Sequence, residues 1–148
     1  MKRVILGALL TLAGAGTIAA GSPSEIREGT WEIRTRAVAR ESGRETPTMI
    51  REKQMGIEGL LPHPERYGKT CRQSYLRRST ARLEWEILCD GNATRSVRAD
   101  YRLDKERFEG TVIRRGRSLY GRDLTIENRI SGRYLGEKTP SQKTPKDR

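Results

Sequence analysis

Residues 80–89 alternate up to Leu88. Ala81, Leu83, Trp85, Ile87 and Cys89 fall on one side, and Arg82, Glu84 and Glu86 on the other. An extended strand sends successive side chains to opposite faces, so a period of two makes one apolar face and one charged face. Residues 30–40 repeat the pattern, with Trp31, Ile33, Thr35 and Ala37 against Glu32, Arg34 and Arg36. Residues 94–103 set Val97, Ala99, Tyr101 and Leu103 against Ser96, Arg98, Asp100 and Arg102. Residues 108–115 start a further strand with Phe108, Gly110 and Val112, and 119–131 another with Leu124, Ile126, Asn128 and Ile130 inward. Weaker strands read at 47–53 and 70–78. Turn-forming residues punctuate the series at 90–92, 104–107 and 115–117.

Such short connections force antiparallel neighbours, because parallel pairs need long crossovers. A sheet with one wet face must bury the other. The expected fold is therefore all-β: an antiparallel meander of seven to eight strands curled into a barrel-like sheet. Arg and Glu on the outer face can pair across strands. The stretch near 54–69 breaks the rhythm, with Gly56, Gly59, Pro62, Pro64 and Gly68. It predicts a short helical or irregular segment, with a helical turn over 57–61 that covers one barrel end. Residues 137–148 are rich in Lys, Pro, Ser and Thr and are expected to form a disordered polar tail.

The amino-terminal stretch has a different character. Met1-Lys2-Arg3 is basic, residues 4–20 carry no charge, and small residues close the run. This is the pattern of a cleaved export signal over residues 1–21, which leaves one β domain over 22–136 and a periplasmic or secreted protein. The alternative is an uncleaved anchor, although a 17-residue run containing Gly7, Gly14 and Gly16 is near the lower limit for a span. A multi-span membrane protein is excluded, since no second apolar run is long enough.

Formal charge is +11; removing 1–21 takes away Lys2 and Arg3 and no acid, leaving +9. In an exported protein this balance argues against nucleic acid and towards anionic lipid head groups or acidic envelope polymers. Arg outnumbers Lys 23 to 7 and is scattered along the chain, which equally suits a solvated surface.

Cys71 and Cys89 are the only thiols. In an oxidising compartment an isolated pair reads as a disulfide. A hairpin turning near 79–80 brings them close to opposite each other, and closing that loop contributes about 3 kcal/mol by chain entropy. Catalytic signals are lacking. His63 is the single histidine and sits between Pro62 and Pro64; one histidine and two paired cysteines hold no zinc. Glu84 and Glu86 share the outer face, where ion pairing with arginine explains them better than acid–base chemistry. Asp104, Glu106 and Glu109 cluster at a turn and read as solvated. No catalytic residue, metal site or cofactor is expected. Trp31 and Trp85 point to the apolar face, as core or as surfaces on which a ligand stacks.

Several motifs together resemble a known family. They are Gly29-Thr30-Trp31-Glu32-Ile33, then Cys71, then Trp85 to Gly91, Phe108-Glu109-Gly110-Thr111, and Ile130-Ser131-Gly132-Arg133-Tyr134-Leu135-Gly136. Their order and spacing resemble the bacterial exported domain-of-unknown-function family 3617. The resemblance implies a small exported β domain with no assigned activity. The Gly-x-Trp opening is also similar to that of lipocalins, which implies by analogy a lipocalin-like ligand cup. Two functions follow as expectations. The first is a non-enzymatic structural or interaction protein of the envelope, whose partner is an envelope protein or anionic lipid. The alternative is a barrel-type binder of a small apolar molecule or lipid, its cup lined by Trp31, Trp85, Tyr101 and Phe108.

Overall fold

A computed structural model describes residues 26–91 and 93–137. The expected signal segment and all but the first residue of the expected tail lie outside these described residues. Eight strands follow in chain order: β1 (Gly29–Ala39), β2 (Arg44–Glu45), β3 (Met49–Met55), β4 (Cys71–Arg78), β5 (Arg82–Cys89), β6 (Thr94–Asp104), β7 (Arg107–Arg117) and β8 (Asp123–Gly136). All are antiparallel in one sheet of order β2-β1-β8-β7-β6-β5-β4, with β3 also on β1. β8 takes one edge of β1, and β2 and β3 share the other.

From β4 to β8 each strand pairs with the next, as the short connections require. The alternation of burial holds in β5, in β6 and at the start of β7, whereas β4 is exposed after Cys71 and β8 is half-buried on both faces over 124–128. Leu83, Trp85 and Ile87 of β5, Val97, Ala99, Tyr101 and Leu103 of β6, and Phe108 and Val112 of β7 are buried in one cluster with Trp31 and Ile33 of β1. β8 instead brings Gly132 to the inner face, paired with both Ile33 and Phe108. One boundary moves. Residues 115–117, expected to turn, continue β7, because Gly116 pairs with Thr94 as a strand residue. The reversal comes at 118–122, where Gly121 adopts φ +72°, a conformation glycine enters without a Cβ clash.

The sheet does not close into the expected barrel. Its outer strands β3 and β4 do not pair with each other. Their inward positions are mixed: Arg51 and Lys53 on β3 and Gln73 on β4 are exposed polar residues, and Met49 on β3 and Leu76 on β4 are exposed apolar ones. The segment joining β3 to β4 fills part of this opening. It holds two short 3-10 turns, Ile57–Leu60 and Pro64–Arg66, in place of the single helical turn expected. Ile57 and Leu60 join the core, and Trp85 Nε1 donates to the Leu60 carbonyl at 2.8 Å. A buried indole N–H needs such a partner.

Candidate functional site

The two cysteines lie directly opposite in the β4–β5 register and form a disulfide, with Cα atoms 4.0 Å apart. Cys89 is buried, whereas the rest of β4 beyond Cys71 is exposed. The bond therefore ties a poorly buried edge strand to the core.

The four aromatics placed around an interior cup do come together, but packed. Trp31, Trp85, Tyr101 and Phe108 are 0%, 4%, 4% and 3% exposed. The Trp31 and Phe108 ring centroids are 5.4 Å apart, and those of Tyr101 and Phe108 6.2 Å in an edge-on arrangement. Trp31 Nε1 donates to the Arg27 carbonyl at 3.0 Å. Burial raises the Tyr101 hydroxyl well above the ordinary phenol range, so it stays neutral. These side chains fill the inner face.

Open concave surface lies instead on the charged face. A groove of about 900 Å³ crosses β1, β8, β7 and β6. Arg34, Arg36 and Arg40 supply it from β1 and just beyond, Arg98 and Arg102 from β6, Arg115 from β7 and Arg129 from β8. Three acids face them: Asp100, Glu109 and Glu127. A second groove of about 540 Å³ adjoins it and shares Arg34, Arg102, Glu109 and Ser131. The sequence placed Arg34, Arg36, Arg98, Arg102 and Arg129 on the outer face and Arg115 in a turn, but their convergence on one groove depends on the β1–β8 pairing.

Part of this charge is neutralised locally. Glu127 sits between Arg40 at 2.6 Å and Arg129 at 3.0 Å, and the Arg40 hydrogen bond leads in holding its carboxyl below the ordinary range. Arg82 grips Asp100 through two nitrogens at 3.0 and 2.7 Å and lowers it likewise. Arg36 pairs with Glu45, and Arg102 reaches Glu109 at 3.6 Å. Arg98 and Arg115 form no ion pair among the described residues. The groove thus keeps uncompensated positive charge.

The remaining candidates are dispersed. His63 contacts Glu65 at 3.1 Å on the connecting segment. Glu84 pairs with Arg82 at 3.2 Å, as expected of an outer strand position. Glu106 bonds Arg27 at 2.9 Å and Glu109 faces Arg102, so the three acids near the β6–β7 turn do not converge. Among the described residues no group of three acids, histidines or cysteines has a metal-binding arrangement. Among them, too, no helix is long and apolar enough to cross a membrane. Comparison with known proteins adds no assignment: no family model, curated protein or solved structure matches the chain.

Proposed function

We propose that this protein is an exported, non-enzymatic interaction protein of the bacterial envelope, and that its arginine-rich groove receives an acidic segment of an envelope protein. The observation that carries this is the groove itself. It crosses four strands and holds seven arginines against three acids, two of the arginines outside any ion pair among the described residues. Such a surface attracts an acidic chain at long range and fixes its carboxylates through the guanidinium fork. The packing of Trp31, Trp85, Tyr101 and Phe108 favours this reading over the apolar-ligand cup, which needs an unfilled interior. The apolar run at 4–20 supports export.

Membership of domain-of-unknown-function family 3617 is part of the same proposal. It is supported by the way the motif residues converge. Trp31, Phe108 and Tyr134 pack as one cluster, with Gly132 beneath the Phe108 ring.

The test is a fluorescence-anisotropy titration with labelled poly-glutamate at low and high salt. The wild-type protein is expected to bind in a salt-sensitive way. Arg98→Ala with Arg102→Ala is expected to weaken binding roughly tenfold. The same charge removed at Lys53 and Arg66, away from the groove, is expected to have a smaller effect. Equal losses from both pairs would reduce the effect to net charge and overturn the groove assignment.

A further inference from the structure

We infer that the turn between β7 and β8 is a membrane-docking tip, which places Leu119 and Tyr120 in the interfacial layer of a bilayer containing anionic lipid. Leu119 is 102% exposed and Tyr120 90%, whereas the other exposed large apolar residues range from 37% to 62%. Single exposed apolar residues are ordinary on a protein surface. Two adjacent ones at the extreme end of a hairpin, with no contact to the fold, are a different case.

The turn that carries them is held in shape. Ser118 N donates to the Arg122 carbonyl at 2.8 Å, Gly121 N to the Ser118 carbonyl at 3.0 Å, and Arg122 N to Ser118 Oγ at 3.2 Å. Leu119 and Tyr120 are therefore presented on a hydrogen-bonded turn. Their side chains gain nothing from the core, and insertion into lipid removes apolar surface from water.

The charge around the tip matches one kind of surface. Arg115, Arg117 and Arg122 flank it, and residues 115–122 contain no acid. None of these three arginines forms an ion pair among the described residues. The acids nearby are already engaged. Asp123 pairs with Arg95 at 3.5 Å and Asp90 of the β5–β6 turn with Arg72 at 2.6 Å, while the Thr125 backbone beside Glu41 holds its carboxyl below the ordinary range. An aromatic residue at head-group depth, an aliphatic one beside it and a collar of arginine are the components of an interfacial anchor on anionic lipid. Docking occurs end-on through the hairpin. It leaves most of the charged groove of β1, β6, β7 and β8 exposed, with only Arg115 common to both surfaces.

Among the described residues every buried core residue lies between Ile26 and Val112, and the strands end at Gly136. The chain beginning at Ser22 carries all of these residues, and it keeps the apolar 4–20 run out of the measurement. The experiment is co-sedimentation of this chain with phosphatidylcholine vesicles, with and without phosphatidylglycerol. Binding is expected only with phosphatidylglycerol and to weaken in salt. The double variant Leu119→Ser, Tyr120→Ser is expected to lower partitioning roughly tenfold while its thermal melt stays unchanged. Failure of the wild type to bind overturns the inference. So does equal binding by the variant, which would assign the attraction to overall positive charge. Poly-glutamate binding is expected to be the same in this variant and the wild type, so the tip and the groove stand or fall separately.

Discussion

The Phe108 ring of β7 occupies the space where a side chain at its β8 partner, Gly132, would begin. From that position the ring reaches across β8 to Trp31 on β1, with centroids 5.4 Å apart. Trp31 in turn meets Tyr134 edge-on at 5.5 Å. One strand over, the Tyr101 ring covers Gly110 in the same way. Each glycine lets an aromatic lie flat on the sheet, a recognised way to stabilise a strand glycine. The motifs Phe108-x-Gly110 and Gly132-x-Tyr134 thereby acquire a packing explanation.

Gly132→Ala is expected to push Phe108 from its place and to destabilise the fold by about 1–3 kcal/mol through overpacking. A urea melt measures the change. An unaltered midpoint would show that the Phe108–Gly132 contact is not tight.

Trp85→Phe keeps most of the buried apolar surface and deletes the bond to the Leu60 carbonyl. The loss is expected to be about 1–3 kcal/mol for the carbonyl left unsatisfied, against about 3–5 kcal/mol for Trp85→Ala, which also opens a cavity. If both variants melt alike, the hydrogen bond contributes more than the ring.

Reducing the Cys71–Cys89 bond, or replacing both residues with Ala, is expected to cost about 3 kcal/mol. The effect should concentrate on β4, whose side chains after Cys71 are exposed. Limited proteolysis is therefore expected to begin within 71–78 in the reduced protein and not in the oxidised one.

Stability is expected to fall in acid. The carboxyls of Glu127, Glu32 and Asp100 are each held below their ordinary values, foremost by hydrogen bonds from Arg40, Arg34 and Arg82 respectively. A carboxyl depressed in the folded state binds its proton more readily in the unfolded chain, so the unfolded state takes up more protons as pH drops. Their stabilisation is complete above the ordinary carboxylate range, about pH 4, and is lost below it as the folded-state values are crossed. Urea midpoints from neutral pH to pH 3 measure the slope. Glu127→Gln is expected to flatten it, and an identical profile would remove Glu127 from its origin.

Arg98→Ala is expected to change stability by less than about 0.5 kcal/mol, since the side chain is exposed and in no ion pair among the described residues. Its effect on poly-glutamate binding then reports on the groove and not on folding.

Sequence alone determined what depends on neighbours along the chain. The period of two set the faces of β1 and β5–β7, and the short connections set antiparallel pairing from β4 to β8. The turn at 79–81 brought Cys71 near Cys89, although a register shift between Gln73 and Tyr75 is what sets the two directly opposite. Each of these follows from backbone geometry over about ten residues. Tertiary structure decided the rest. β1 pairs with β8 across most of the chain, a register no local pattern contains. β3 and β4 stayed unpaired with each other, which left the sheet open, and Ile57 and Leu60 reached the core from an irregular segment. Alternation put Trp31, Trp85, Tyr101 and Phe108 on the inner face, but only mutual packing decided that they fill it. The reversal at 118–122 left Leu119 and Tyr120 in water, where periodicity had placed them in a strand. Side-chain direction is local, whereas closure, filling and exposure depend on what the remote parts of the chain bring against each face.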